Sequence, residues 1–168
     1  MGDVLWAPWR MDYILSEKGS GCIFCDLPRA AQDAANYILW RGRTAFVMLN
    51  RYPYNNNAHM MVIPHAHMAS LTELDVVQRG ELMEVTALCE DVLHQALKPD
   101  GLNIGLNLGA ASGAGMAAHL HVHLVPRWQG DTNYMTVLGD IRVIPQHLDE
   151  TYQQLLPHFP ASNASTTS

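Results

Sequence analysis

Residues 119–126 read His-Leu-His-Val-His-Leu-Val-Pro, three histidines alternating with aliphatic side chains. A period of two belongs to an extended strand, in which alternate side chains share a face. Two strand residues advance the chain by roughly 6.5 Å, so His119, His121 and His123 are expected in a row on one face. Leu120, Val122 and Leu124 are expected to anchor the other face in a core. A core strand holds side chains rigidly, which suits groups whose position matters for chemistry. Three readings are open for such a row: histidines on a half-buried surface strand, a catalytic metal site built on His-x-His, or chemistry at phosphate. The small, glycine-rich stretch at 109–115 precedes the row and Pro126-Arg127-Trp128 follows it. Bare backbone amides in such a loop can approach an anion closely, and the combination favours the third reading.

The rest of the chain supplies partners for that strand. Short apolar runs at 37–40, 45–49 and 60–63 are bounded by turn residues and read as strands of an antiparallel meander. Ser70-Leu-Thr-Glu73 has the form of a capping box. After it, Leu74, Val77, Leu82, Val85, Leu88, Val92 and Leu97 recur at helical spacing, and Pro99-Asp-Gly101 ends the helix. Leu102, Ile104, Leu106 and Leu108 alternate with polar or small residues, predicting a strand with one dry face. Pro126 is expected to end the histidine strand, and a short helix is expected over 148–156. This order predicts an α+β fold in a single domain over 1–160. Residues 1–21, with Trp6, Trp9 and Tyr13, are expected as an arm docking on the domain or on a second subunit. The tail 161–168 is expected to be disordered.

Composition narrows the class. Of the 168 residues 48% are hydrophobic, enough for a core without disulfides. The net charge of −6 argues against a nucleic-acid-binding surface. No run approaches the roughly 18 apolar residues of a membrane span. The N-terminal stretch lacks the apolar segment of a signal peptide, and Trp6 stands where a myristoylation signal needs Ser or Thr. A cytoplasmic location follows as the expectation. The three cysteines fit it: Cys22 and Cys25 form a C-x-x-C pair that reads as a metal site or a redox pair, and Cys89 reads as a small buried residue of the long helix.

The segments at 22–25, 48–53, 59–67 and 107–123 together resemble the histidine triad superfamily. The ending at 126–134, the start at 5–13 and Val143-Ile-Pro-Gln146 resemble its bacterial branch related to diadenosine tetraphosphate phosphorylases. The resemblance covers most of the chain. It implies a five-stranded antiparallel sheet with one long and one short helix, and a homodimer whose sheets join into one.

The resemblance also implies roles. His121 matches the nucleophile that attacks an α-phosphorus and forms a nucleotidyl-histidine. A neutral imidazole can do this at pH 7, provided that one nitrogen keeps its proton, for instance on a backbone carbonyl. His123 matches a donor to the phosphate oxygens, and His59 matches a position near the phosphate pocket, where a structural hydrogen bond is an equal reading. Asn107, with the amides around Ala114 and Gly115, is expected to hold the same oxygens, and Trp128 to donate an indole N–H. Asn50 matches a ribose-contacting position, although Asn before Arg51 also suits a plain turn. Many family members carry glutamine where this chain has Gly115, a departure that agrees better with the phosphorylase-like branch. Cys22, Cys25, His67 and His119 match the ligands of a structural zinc; no organic cofactor is implied. His119 thus carries two competing expectations, zinc ligand and leaving-group acid. The substrate class implied is a dinucleoside polyphosphate, with phosphate or water as the second acceptor. A nucleoside phosphoramidate hydrolase and a nucleotide-binding regulator are the alternatives.

Overall fold

The computed structural model describes residues 21–53, 56–131 and 146–161. Nearly all of the expected N-terminal arm, the segment 132–145 and nearly all of the tail lie outside the described residues. The described chain runs α1 (Ile23–Arg29), α2 (Asp33–Asn36), β1 (Ile38–Arg41), β2 (Ala45–Leu49), β3 (Met60–Pro64), α3 (Val76–Leu97), β4 (Gly101–Leu106), β5 (Val122–Arg127) and α4 (Leu148–Leu155). The strands form one antiparallel sheet in the order β1-β2-β3-β5-β4. The α+β expectation of five antiparallel strands with a long and a short helix is met. The two short helices α1 and α2 were not expected, because four- and seven-residue segments are too short for periodicity to show.

Both faces of the central strands are covered. On one face α3 lays Leu82, Val85, Cys89 and Val92 against Val47, Met60, Val62, Val122 and Leu124. On the other, Phe24 of α1 packs with Phe46, Met48, Met61 and Ile63. Full burial of a side chain such as Phe24 contributes about 2 kcal/mol. Because Met61 pairs with His123 across β3 and β5, the histidine row lies on this second face.

Three local expectations are corrected. The capping box of the long helix is Asp75 with Gln78, not Ser70 with Glu73: Asp75 accepts from the Gln78 N–H at 2.8 Å, and the Gln78 side chain accepts from the Asp75 N–H at 3.0 Å. Ser70–Glu73 closes a separate turn, in which Glu73 accepts from the N–H groups of Ala69 and Ser70. Leu74, buried at 2% exposure, then turns inward before the helix starts. Pro126 does not end the histidine strand; it pairs with Leu102 inside β5. Its carbonyl accepts from Asn56 at 2.9 Å, whereas the next carbonyl, of Arg127, accepts from Asp100 on the β4 side. The missing N–H of Pro126 thus faces away from β4, and no ladder bond is lost. Finally, β4 is not dry on one face: Leu102 and Leu106 pack on the core, but Ile104 and Leu108 are about half exposed, 45% and 46%.

Candidate active site and metal centre

The three histidines form a row as expected, although the regular strand β5 starts only at Val122 and His119 and His121 precede it; the row is interior, with His119, His121 and His123 1%, 5% and 6% exposed. The surface-histidine reading is therefore excluded. Phe24 packs against two of them. Its ring meets that of His119 edge-on at 5.6 Å and that of His121 at 4.9 Å, and His121 meets His123 at 4.6 Å.

Each ring has a defined environment. His121 Nδ1 lies 2.8 Å from the backbone carbonyl of His119. A carbonyl can only accept, so Nδ1 carries the proton and Nε2 carries the lone pair. Burial pushes the His121 pKa below its ordinary value, keeping the ring neutral at pH 7. His123 Nδ1 lies 2.9 Å from Nε2 of His59, which is itself 1% exposed. Burial lowers His123 to about 4 and His59 to about 3, each helped by a neighbouring histidine. His59 Nδ1 faces the Asn50 amide nitrogen at 3.3 Å. Asn50 also accepts from the Tyr52 N–H at 2.9 Å, so the plain turn role is present too.

His119 differs from the other two. Its Nε2–H donates to the Pro64 carbonyl at 2.9 Å, and its Nδ1 lies 3.2 Å from Cys22 Sγ and 3.6 Å from Cys25 Sγ. Cys25 Sγ is 3.3 Å from His67 Nδ1. The four ligand atoms lie within 4.8 Å of one another. Two thiols and two imidazoles are the donor set of tetrahedral zinc, and a histidine ligand normally donates its other N–H to a carbonyl or carboxylate, as His119 does. The residues fit the metal. They come from the start of α1, the segment after β3 and the residues before β5, so a bound zinc would tie α1 onto the sheet. Both nitrogens of His119 are then committed, which leaves no N–H for a leaving group.

Of the expected phosphate-holding residues, the strand register places Asn107 beside the row. Leu106 pairs with Val122, which brings Asn107, the next residue, to the level of His121. The 109–115 loop contains a 3-10 turn, Ala110–Ser112, between Gly109 and Gly113. Both glycines have positive φ, +78° and +87°, which β-carbon-bearing residues rarely adopt. Ala114 is half-buried and Gly115 exposed. The Ser112 hydroxyl donates to the Gly109 carbonyl at 2.7 Å and so steadies the loop. The Trp128 backbone N–H donates to Asp131, whose carboxylate also binds Arg127 at 2.6 and 2.8 Å and Asn56 at 2.7 Å. Phe24 and His59 are the neighbours that sequence reasoning undervalued. Phe24 was visible only as the aromatic residue inside C-I-F-C; His59 matches a family position near the phosphate pocket with a structural hydrogen bond as the equal reading, and its partner in that bond is His123.

The fold and site define a histidine triad protein, and the chain belongs to the HIT domain family, whose sequence pattern matches residues 34–130. In particular, a Mycobacterium tuberculosis protein named AP-4-A phosphorylase is 38% identical over 160 residues, covering 90% of this chain and 81% of that protein. Among solved structures, a hypothetical histidine triad nucleotide-binding protein from Sulfolobus tokodaii strain7 matches with a TM-score of 0.65 at 28% identity, over 82% of this chain and 88% of its own. A zinc-bound histidine triad family protein from Mycobacterium smegmatis matches with a TM-score of 0.65 at 25% identity, over 82% and 92%. No helix among the described residues is long and apolar enough to cross a membrane.

Proposed function

We propose that this chain cleaves dinucleoside polyphosphates, diadenosine tetraphosphate among them, through a nucleotidyl-His121 intermediate resolved by inorganic phosphate. The observation that carries the reading is the bond from His121 Nδ1–H to the His119 carbonyl, which leaves a neutral ring with its lone pair on Nε2. That lone pair attacks the α-phosphorus; the P–O bond to the departing nucleotide breaks, and the bond electrons leave on its phosphate oxygen. A polyphosphate leaves as an anion and needs no protonation by His119. In the second step a phosphate oxygen attacks the same phosphorus, the N–P bond breaks, and the electron pair returns to His121 Nε2. The products are ATP and ADP.

The other residues take supporting roles. His123 donates to the phosphate oxygens as charge grows on them. Asn107 and the amides around Ala114 and Gly115 hold the same oxygens, Asn50 contacts ribose, and Trp128 contributes its indole N–H to the incoming phosphate. Small residues along 109–115 leave space for that acceptor beside His121. Cys22, Cys25, His67 and His119 hold a structural zinc, whose contribution is to fix α1 and Phe24 against the row. The name and 38% identity of the mycobacterial relative support the substrate class, and the zinc-bound neighbour supports the metal. The working form is a homodimer in the cytoplasm, with sheets joined through β4.

The test is turnover of diadenosine tetraphosphate with and without millimolar phosphate, with product identification. Faster cleavage and a shift to ADP plus ATP are expected on adding phosphate, and Trp128→Ala should weaken that dependence. Products of AMP plus ATP, or of ADP alone, irrespective of phosphate mean that water is the acceptor and the loop has been misread.

A further inference from the structure

Behind His123 runs a chain of hydrogen bonds whose direction can be fixed atom by atom. It starts at a backbone donor, the Tyr52 N–H, which binds Asn50 Oδ1 at 2.9 Å. This bond orients the amide, so the group facing His59 Nδ1 at 3.3 Å is the nitrogen Nδ2. An amide nitrogen donates and does not accept. His59 Nδ1 therefore accepts and bears no proton. The single proton of neutral His59 lies on Nε2, 2.9 Å from His123 Nδ1. His59 donates there, His123 Nδ1 accepts, and the single proton of His123 is left on Nε2. In its neighbour, with ring centroids 4.6 Å away, the assignment is the reverse: Nδ1–H of His121 is held by the His119 carbonyl, and Nε2 is bare.

We propose that Asn50 and His59 are positioning residues that hold the proton of His123 on Nε2, so that one ring of the row presents a donor to phosphate oxygens while its neighbour presents a lone pair to phosphorus. Without direction from behind, the two neutral tautomers of His123 would compete, and the Nδ1–H form would aim a lone pair at the anion. The low pKa values of His59 and His123 agree with single protonation of each ring at neutral pH. The role of Asn50 here is additional to the ribose contact that the family resemblance implies. The catalytic half of the proposal rests on the phosphate chemistry assigned to His121 and His123 above; the tautomer assignment does not.

The two halves are tested separately on the zinc-loaded full chain. Nitrogen-15 NMR of labelled imidazoles distinguishes a protonated from a bare ring nitrogen and needs no substrate. Wild-type protein should show bare Nδ1 and protonated Nε2 for both His59 and His123. His59→Leu and Asn50→Ala should shift His123 toward a mixture of tautomers. Each should lower kcat for diadenosine tetraphosphate by about tenfold to a hundredfold, below the roughly hundredfold to thousandfold cost of losing an oxyanion donor altogether. For His59→Leu, which removes no substrate contact, KM should move less than about threefold, since ground-state binding is spared; Asn50→Ala also loses the ribose contact and is read by its tautomer and kcat. His59→Gln, whose amide can donate to His123 Nδ1, should recover most of the kcat. A wild-type His123 protonated on Nδ1 overturns the proposal even if no variant folds. So does a folded His59→Leu protein that keeps the Nε2–H form, or one that loses it at unchanged kcat. If the tautomers are as stated but no form of the protein cleaves the dinucleotide, the assignment of function fails and the proton chain stands.

Discussion

The neutral state of His121 rests on one backbone carbonyl and one aromatic ring. The His119 carbonyl sets the tautomer, and Phe24 helps exclude the water that would stabilise a charged imidazolium. Under the proposed mechanism, replacing His121 by Ala or Asn removes the nucleophile, so turnover should fall by several orders of magnitude while nucleotide binding and folding survive. Steady-state assays alongside binding titrations check this; a variant that keeps about a tenth of wild-type activity contradicts a covalent His121 route. Burial also has a thermodynamic signature. Burial, with His123 and His121 beside it, lowers the His59 pKa from the ordinary 6.5 to about 3 in the fold. As pH falls below 6.5 the unfolded chain takes up the proton first, so stability declines across the window from 6.5 down to about 3; above 6.5 the ring is neutral in both states and adds no slope. Between pH 6.5 and about 4.5 this one group should cost about 2–3 kcal/mol. Urea titrations should find a shallower acid limb in His59→Gln than in wild type, and equal slopes would count against a buried neutral His59. The row itself was legible in the sequence, since a period of two leaves no choice of face. The role of Phe24 and the partner of His59 were not. Their contacts with the row join residues about 64 to 97 positions apart in the chain, and no local pattern encodes such a meeting.

Among the elements, α1 depends most on what holds it. Seven residues are too few for a stable isolated helix, and Pro28 lies inside it. Burial of Phe24 and the ligand cluster at its start are what fasten it to the sheet. Purified protein should carry about one zinc per chain. Cys25→Ser should lower the thermal midpoint more than it lowers the turnover of the protein that remains folded, read by calorimetry and by activity per folded molecule. Metal-supplemented protein that shows no zinc by elemental analysis would refute the site. The long helix makes a separate test of capping. Asp75→Ala removes the acceptor for the Gln78 N–H and should cost about 1 kcal/mol, whereas Ser70→Ala, in the preceding turn, should leave the helix start intact. Equal losses would return the cap to Ser70. Strand and helix identities were readable because β2, β3 and α3 bury long, regular apolar patterns. The boundary errors fell where one chemical signal serves two geometries. Ser-x-x-Glu closes a turn as readily as it starts a helix, and a proline can sit in a strand when its absent donor points out of the ladder.

At the scale of the whole molecule, the two edges of the sheet are treated differently. The outer side of β1 is closed by α4: Tyr152 donates its hydroxyl to the Ile38 carbonyl at 3.1 Å, and Tyr37 donates to Asp149 at 2.7 Å. Asp33 adds a bidentate bond to Arg41 at the end of the same strand. At the other edge, no strand among the described residues pairs with the outer side of β4. That strand exposes Asn103, Ile104 and Gly105 in sequence, with Leu108 exposed just beyond. An unpaired edge with apolar side chains is a template for another strand. A second copy placed antiparallel about a two-fold axis meets it with the same residues, so one surface serves both partners. In the proposed dimer the joined sheet would cover Ile104 and Leu108, which a single chain leaves about half exposed. Ile104→Lys puts a charge in that seam while leaving the core residues Leu102 and Leu106 untouched. Sedimentation at micromolar concentration should therefore show a dimer for the wild type and a monomer for Ile104→Lys, with the variant's circular dichroism unchanged. A wild-type chain that sediments as a monomer, or a folded Ile104→Lys variant that remains fully dimeric, would show that β4 is not where two copies meet.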